Sequence, residues 1–294
     1  MDTNLGQVEL VKDINPDGSS SPDSLVEFKD KLYFAANDGE TGRALFVSDG
    51  TTEGTQLVKD IYPENNSQSR FYFRNLSNLT EFDGKLYFAS DNGESGKELF
   101  VSDGTAEGTQ LVKDIYPGED PYGNKNSSAP SDLVEFKDKF YFAANDGVHG
   151  NELFVSDGTA EGTQLLVDLR EETDGNSYGS SPSDLVEFND KLYFAAYDGE
   201  STELYVSDGT AEGTQLLYPG KDQDGNGHVW DPDNLVEFND KLYFTADDGE
   251  HGNELFVSDG TAEGTQLLAD LNPGEGGSYA SKLTVVGDEL FFSA

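Results

Sequence analysis

The segment ELFVSDGTAEGTQL, residues 98–111, decides the fold, because it places a short apolar run, a Gly-bearing turn and a second apolar run side by side. Its core, V-S-D-G-T-x-E-G-T-Q-L, occurs five times, with the first Asp at Asp49, Asp103, Asp157, Asp208 and Asp259. The spacings are 54, 54, 51 and 51 residues. A second block precedes each copy, as in LVEFKDKLYFAANDGE from Leu25, LTEFDGKLYFASDNGE from Leu79 and LVEFNDKLYFTADDGE from Leu235. It returns a sixth time as LTVVGDELFFSA from Leu283. A lone VELVKDI at Val8 to Ile14 matches the LVKDI of Leu111 to Ile115. Self-similarity at this period is the mark of a repeat architecture and is settled before any motif is weighed.

Each unit reads as four short strands. Leu25–Phe28 and Lys31–Ala35 are separated only by Lys29 and Asp30, and other copies place Asp83-Gly84 or Gly287-Asp288 there, which suits a two-residue hairpin with positive φ. Glu98–Ser102 and Thr109–Lys113 form the other pair across the turn Asp103–Gly108. No apolar stripe at helical spacing runs over ten residues, so little or no helix is expected. A four-stranded unit of about 50 residues is the signature of a β-propeller blade. The expectation is therefore an all-β, six-bladed β-propeller forming one domain over 1–294, averaging 49 residues per blade. The blades fall near 25–60, 79–114, 133–168, 185–218 and 235–270, with a closing blade built from 283–294 and 8–14. That last blade is one strand short. A polypeptide that continues past Ala294, an irregular blade, or a strand given by another chain would each account for it, and starting every blade at the TQLVKDI strand fits the copies as well.

Composition bounds the partners. The 294 residues carry 18 Lys plus Arg against 58 Asp plus Glu, a formal charge of −40. Such a surface repels phosphate backbones and anionic lipid, which argues against nucleic-acid binding or direct membrane insertion, and it attracts cations. Aromatic residues at 12% separate the chain from acidic disordered sequences. With no Cys, neither disulfides nor thiolate sites contribute. No apolar run approaches the length of a membrane span, and the opening MDTNLGQVEL has neither part of a signal peptide.

The block GNELFVSDGTAEGTQL, followed by VKDI, Pro-Gly and a Ser-Pro stretch, resembles the bacterial ELWxxDGT repeat family over essentially the whole chain. The departures are Phe46, Phe100, Phe154, Tyr205 and Phe256 at the Trp position, and Ala44 at the Glu position of the first copy. The resemblance implies an exported bacterial protein, extracellular or on the cell surface and often part of a larger polypeptide. It implies no established activity and supplies no catalytic residues.

Candidate chemistry is of two kinds. Loops of the type NDGEHGN (Asp38, Asp146, Asp198, Asp248) and SDGTAEG (Asp49, Asp103, Asp157, Asp208, Asp259) set carboxylates beside Gly, where a turn offers oxygens to Ca²⁺. The competing reading has each Asp accepting N–H bonds within its own turn. In the fifth linker, Asp222, Asp224 and Asn226, joined by Asp231 or Asp233, echo a calcium loop without its closing Glu, and Asp174 in the fourth is a weaker echo. The linkers also hold the aromatics that do not repeat: Phe71, Tyr72 and Phe73, then Tyr122, Tyr178, Trp230 beside His228, and Tyr279. Rings near carboxylates and amides are the equipment of a glycan-binding face. Phe71 and Phe73 suit blade capping better. The G-x-S-x-G match at Gly175–Gly179 lies in a linker with no strand-to-helix elbow, so it is a chance match. His149 and His251 hold equivalent turn positions, which favours a structural role. The chain is thus expected to be a non-catalytic, cation-dependent recognition or adhesion module for a glycan or cell-surface ligand. A polysaccharide hydrolase or lyase using channel carboxylates, and a subunit assembling through its incomplete blade, are the alternatives.

Overall fold

A computed structural model describes residues 8–62, 76–170, 178–217, 230–274 and 276–294. The chain divides into two compact units, Met1–Pro130 and Ser131–Ala294. Among the described residues there is no helix.

The first unit holds two four-stranded antiparallel sheets. One is β1 (Asp23–Phe28), β2 (Lys31–Asn37), β3 (Arg43–Ser48) and β4 (Gln56–Lys59). The other is β5 (Ser77–Phe82), β6 (Lys85–Asp91), β7 (Lys97–Ser102) and β8 (Gln110–Lys113). The second unit holds three more of the same order: β9 (Ser131–Phe136) to β12 (Gln164–Val167) through β10 (Lys139–Asn145) and β11 (Asn151–Ser156); β13 (Ser183–Phe188), β14 (Lys191–Tyr197), β15 (Thr202–Ser207) and β16 (Gln215–Leu216); and β17 (Trp230–Glu237), β18 (Leu242–Asp247), β19 (Asn253–Ser258) and β20 (Gln266–Ala269). It ends in the two-stranded sheet of β21 (Ser281–Val286) and β22 (Glu289–Ser293). The result is a β-propeller-like repetition of sheets in sequence order. Residues 8–14, expected as a strand of the closing blade, carry no strand; Val8 and Leu10 are exposed, and the segment is tied down by Thr52 Oγ1 donating to the Val11 carbonyl at 2.6 Å.

Local chemistry accounts for the pleat. Both residues of the first hairpin turn have positive φ, at 52° for Lys29 and 59° for Asp30, as a type I′ connection requires. Each first strand also contains a bulge, with Ser24, Asn78, Asp132, Asp184, Asn234 and Lys282 in the left-handed region at φ between 52° and 58°. Bulges bend a strand and re-aim its side chains.

Aromatic pairs fill the sheets. Phe88 stacks on Phe100 at 5.9 Å, Phe142 on Phe154 at 6.0 Å and Phe194 on Tyr205 at 5.6 Å, so the aromatic of each third strand is a packing residue. Successive sheets then pack face to face within each unit: Tyr141, Leu153 and Phe136 of one sheet share a core with Leu192 and Phe194 of the next. The same contact sets a tyrosine hydroxyl against the Asp-Gly-Thr turn of the next sheet. The Tyr141 hydroxyl donates to the Gly209 carbonyl at 3.2 Å and the Tyr193 hydroxyl to Gly260 at 3.0 Å. Gly260 has φ +89°, and a Cβ there would lie 2.4 Å from the Tyr193 hydroxyl, so two constraints select Gly.

Candidate functional site

The Asp-Gly-Thr turns close on themselves. Asp103 Oδ1 accepts from the Thr105 N–H at 2.9 Å and its hydroxyl at 2.7 Å, and Asp49, Asp157, Asp208 and Asp259 repeat this pair of bonds. In each turn the hydroxyl and N–H of its own Thr, Thr105 in the case of Asp103, hold the carboxyl below the ordinary Asp value. Inside the turn a buried Ser–Thr pair, Ser102 Oγ to Thr109 Oγ1 at 2.7 Å, satisfies the strand ends, with Thr109 donating on to the Thr105 carbonyl. The NDGE-type loops follow the same logic, with Asp146 Oδ1 accepting from the Val148 and His149 N–H groups. His149 Nδ1 and Asp146 Oδ2 are 2.7 Å apart, and the equivalent His251 and Asp248 are 2.9 Å apart. That hydrogen bond to the carboxylate raises each imidazole above its usual value. These residues do what a turn needs, as the competing reading of the motif expected.

Beneath those loops lies a feature that spacing alone did not single out. Glu98, Glu152 and Glu254, the Glu of each ELF segment, are fully buried, and each grips the linker that follows. Glu98 accepts from the Ile115 N–H at 2.9 Å and from both the N–H and hydroxyl of Ser128. Glu152 does the same with Leu169 and Ser180. Burial, opposed by these donors, pushes both carboxyls up to about 7. Glu254 has one donor more, with Leu271, Asn272 and Ser278 N–H groups and the Ser278 hydroxyl around it. There burial still pulls upward, but the donors outweigh it and hold the group below its ordinary value. The sequence offered one signal: Ala44 replaces Glu where Arg74, not Ser, stands at the position equivalent to Ser128. In that copy Arg43 takes over the tether, donating to the Leu76 and Ser21 carbonyls.

Three equivalent aspartates complete the linker anchor. Asp114, Asp168 and Asp270 each bury one carboxylate oxygen, Oδ1, without a hydrogen-bond partner. The charge of Asp114 adds to the upward push on Glu98, and that of Asp168 to Glu152. Among the described residues no group of three or more His, Asp or Glu side chains converges into a metal cluster.

The bulge residues form a second polar set. In Ser131–Ala294, β13 lies beside β9 and β17, and β21 lies beside β17. Lys282 N–H donates to Asn234 Oδ1 at 3.0 Å, and the Asn234 N–H is bonded to the Asp184 carboxylate. Asp184 also shares a hydrogen bond with Asp233; burial first, then this neighbour, push its carboxyl well above the ordinary Asp value. Positive φ at non-Gly positions of six copies costs strain in every sheet, and residues tolerant of that region, Asn and Asp, fill four of them.

The exposed aromatics sit on the variable linkers. Tyr122 is 90% exposed, Tyr178 66% and Tyr279 74%. Tyr122 rides a turn organised by Asp120, whose Oδ1 accepts from the Tyr122 and Asn124 N–H groups. Tyr178 lies under the Arg170 guanidinium, which also faces the Tyr197 ring at 5.0 Å. The backbone beside Tyr178 is pressed against the β10–β11 loop, since a Cβ on Gly150 would lie 2.3 Å from the Gly179 nitrogen. Tyr279 is in the left-handed region at φ 52°. Trp230 is half-buried at the start of β17, with its ring against Gly249, where a Cβ would approach to 2.6 Å. Tyr62 covers Gly93 in the same way, so Trp230 has a packing role. Asp231 is exposed at φ 49°. Tyr72, Asp174, Asp222, Asp224, Asn226 and His228 lie outside the described residues, as do Phe71 and Phe73.

No family model and no curated protein matches the chain. Solved structures resemble it in fold. A puromycin-hydrolyzing peptidase of Mycobacterium tuberculosis is 13% identical with a TM-score of 0.53, matching 92% of this chain and 41% of its own. Prolyl oligopeptidase B from Galerina marginata is 11% identical with a TM-score of 0.50, over 82% of this chain and 32% of its own. BamB from Moraxella catarrhalis is 13% identical over 91% of this chain, with a TM-score of 0.45. The chain thus spans less than half the length of either peptidase, and at these identities the likeness concerns the fold alone.

Proposed function

We propose that the chain is a non-catalytic recognition module, displayed outside a bacterial cell, whose variable linkers contact a glycan or cell-surface ligand. One observation carries the reading: most aromatics of the complete sheets are buried against one another, whereas Tyr122, Tyr178 and Tyr279, on segments that differ from copy to copy, are largely exposed. A repeated scaffold with unlike loops concentrates specificity in the loops. The six sheets serve as blades of one six-bladed propeller, a count supported by the equivalence of β21–β22 to the first half of each complete sheet. The bacterial ELWxxDGT resemblance supports export.

Cation dependence belongs to the same reading. A charge of −40 favours bound cations, and the buried, unpartnered oxygens of Asp114, Asp168 and Asp270 sit where linker and sheet meet. A glycan array probed with and without EDTA tests the proposal: retention of a defined glycan class, weakened by EDTA, supports it, and an array without signal in either condition refutes it. The hydrolase or lyase alternative draws support from the Asp184–Asp233 pair only as two hydrogen-bonded carboxyls that can hold one proton between them, since the wider spacing of a glycosidase pair is not theirs. Release of shortened product from a retained glycan, abolished by Asp184→Asn, would favour that alternative.

A further inference from the structure

The loops that join second to third strands share one shape and differ in the residue at the corner. Asp38, Asp146, Asp198 and Asp248 fill the corner in four complete sheets, and Asn92 fills it in the β6–β7 loop, directly before Gly93. In all five the corner Oδ1 accepts the N–H groups two and three residues on, which for Asn92 are those of Glu94 and Ser95, both at 2.9 Å. Ser95 adds its hydroxyl to the same oxygen at 3.0 Å. Three of the Asp loops also use the second carboxylate oxygen, which meets Thr41 Oγ1 at 2.9 Å, His149 Nδ1 at 2.7 Å and His251 Nδ1 at 2.9 Å. Asn92 has an amide nitrogen there, which cannot accept. The loop is thus shaped for a carboxylate where the sequence supplies the amide. The next N–H, that of Gly93, donates to Asp91 Oδ1 at 2.7 Å, whereas at Gly39 and Gly147 it meets the neutral side chains of Asn37 and Asn145. Asn92 is half-buried and lines a cavity of about 310 Å³ together with Lys59, Glu94 and Gln110, which has room for water.

We propose that Asn92 is a self-modification site, at which the loop converts its own asparagine to aspartate with release of ammonia. Asp91 takes the Gly93 N–H proton as general base while the Gly93 nitrogen bonds to Asn92 Cγ. The three donors on Oδ1 stabilise the oxyanion that forms, in the manner of an oxyanion hole. The proton passes from Asp91 to the departing amide, the Cγ–Nδ2 bond breaks, and ammonia leaves behind a five-membered imide. Water then adds at Cγ, the bond from Cγ to the Gly93 nitrogen breaks, and that nitrogen regains its proton. The balance is one amide and one water giving one carboxylic acid and one ammonia, with nothing oxidised or reduced. Because the donors polarise Cγ and not the main-chain carbonyl, the imide opens to aspartate in preference to iso-aspartate. The product carries the carboxylate that the four sister loops encode, and it shares its cavity with the Lys59 ammonium. This inference rests on the β6–β7 loop alone and is independent of any ligand of the linkers.

The test incubates the full chain at pH 8 beside the peptide FASDNGESGKEL, the sequence of residues 88–99, and follows both by peptide mapping with mass spectrometry that separates aspartate from iso-aspartate. Conversion at Asn92 should run about tenfold faster or more in the folded chain than in the peptide, with aspartate the major product. Asp91→Asn installs the residue that Asn37 and Asn145 provide in sister loops, and it should slow conversion in the folded chain by about tenfold or more. Conversion no faster in the folded chain than in the peptide would overturn the proposal, because the loop would then protect its asparagine. So would iso-aspartate as the major product, or an unchanged rate in folded Asp91→Asn. The comparison with the peptide needs no variant, so it decides the matter even if Asp91→Asn fails to fold.

Discussion

Glu98 allows the sharpest test of the energetics. Its carboxyl is wholly inaccessible, and burial outweighs three donors to raise it from 4.5 to about 7. A folded-state value above the unfolded one means that the native state binds the proton more tightly. The contribution is therefore fully present below about pH 4.5 and is lost as pH rises through about 7. The gap between the two values corresponds to about 3 kcal/mol lost per group across that window, and Glu152 repeats it. Glu98→Gln removes the charge but keeps only part of the bonding, because the Ile115 N–H donates to one carboxylate oxygen and the Ser128 N–H to the other, and the amide nitrogen that replaces one of them cannot accept. Urea denaturation at fixed ionic strength should find this variant about 1–3 kcal/mol less stable than wild type at pH 4.5, and the deficit should shrink or reverse by pH 8.5, because the variant has no carboxyl to ionise. Glu98→Ala should be less stable at both, by about 2–6 kcal/mol, since two buried N–H groups are orphaned at about 1–3 kcal/mol each. If the deficit of Glu98→Gln is the same at pH 8.5 as at pH 4.5, the carboxylate is ionised in place throughout and the burial argument fails.

Further outcomes follow from the same geometry. Thr109→Val keeps shape but strands the Ser102 hydroxyl and the Thr105 carbonyl, and should cost about 1–3 kcal/mol in urea denaturation. Gly150→Ala sets a Cβ against the Gly179 backbone at positive φ and should cost at least about 2 kcal/mol, with linker exchange quickened near Tyr178. His149→Ala should lower the melting temperature more at pH 6 than at pH 9, because the raised imidazole contributes below its unfolded value and loses that contribution as pH climbs through its folded one. Millimolar Ca²⁺ should raise the melting temperature more than NaCl of equal ionic strength; equal shifts would reduce the cation effect to screening of the −40 charge.

Repetition made the sheets legible. The two-residue hairpins at Lys29-Asp30 and Asp83-Gly84 and the short apolar runs LYFAA and ELFVS each specify local geometry, and every complete sheet contains them. Val8–Ile14 misled because a sequence match to a fourth strand carries no information about whether a third strand is there to pair with it. The Asp-Gly turns were read with two meanings, and the bonds within the turn fall on a single carboxylate oxygen, Oδ1. Glu98 and its equivalents escaped notice because a charged residue in a strand looks like a solvent-facing one; only the distant Ser128 reveals that it points inward. The bulge positions escaped for a related reason: Ser24 and Lys282 share the backbone angle of Asn78, Asp132, Asp184 and Asn234 without their side-chain chemistry.

The reading of unlike linkers on a uniform scaffold is tested most directly by a triple variant, Tyr122→Ala, Tyr178→Ala and Tyr279→Ala, compared with wild type on a glycan array. All three rings are largely exposed, so the melting temperature should stay within a few degrees while glycan retention falls to background. A variant that keeps its fold and still retains the same glycans at the same strength would contradict the account.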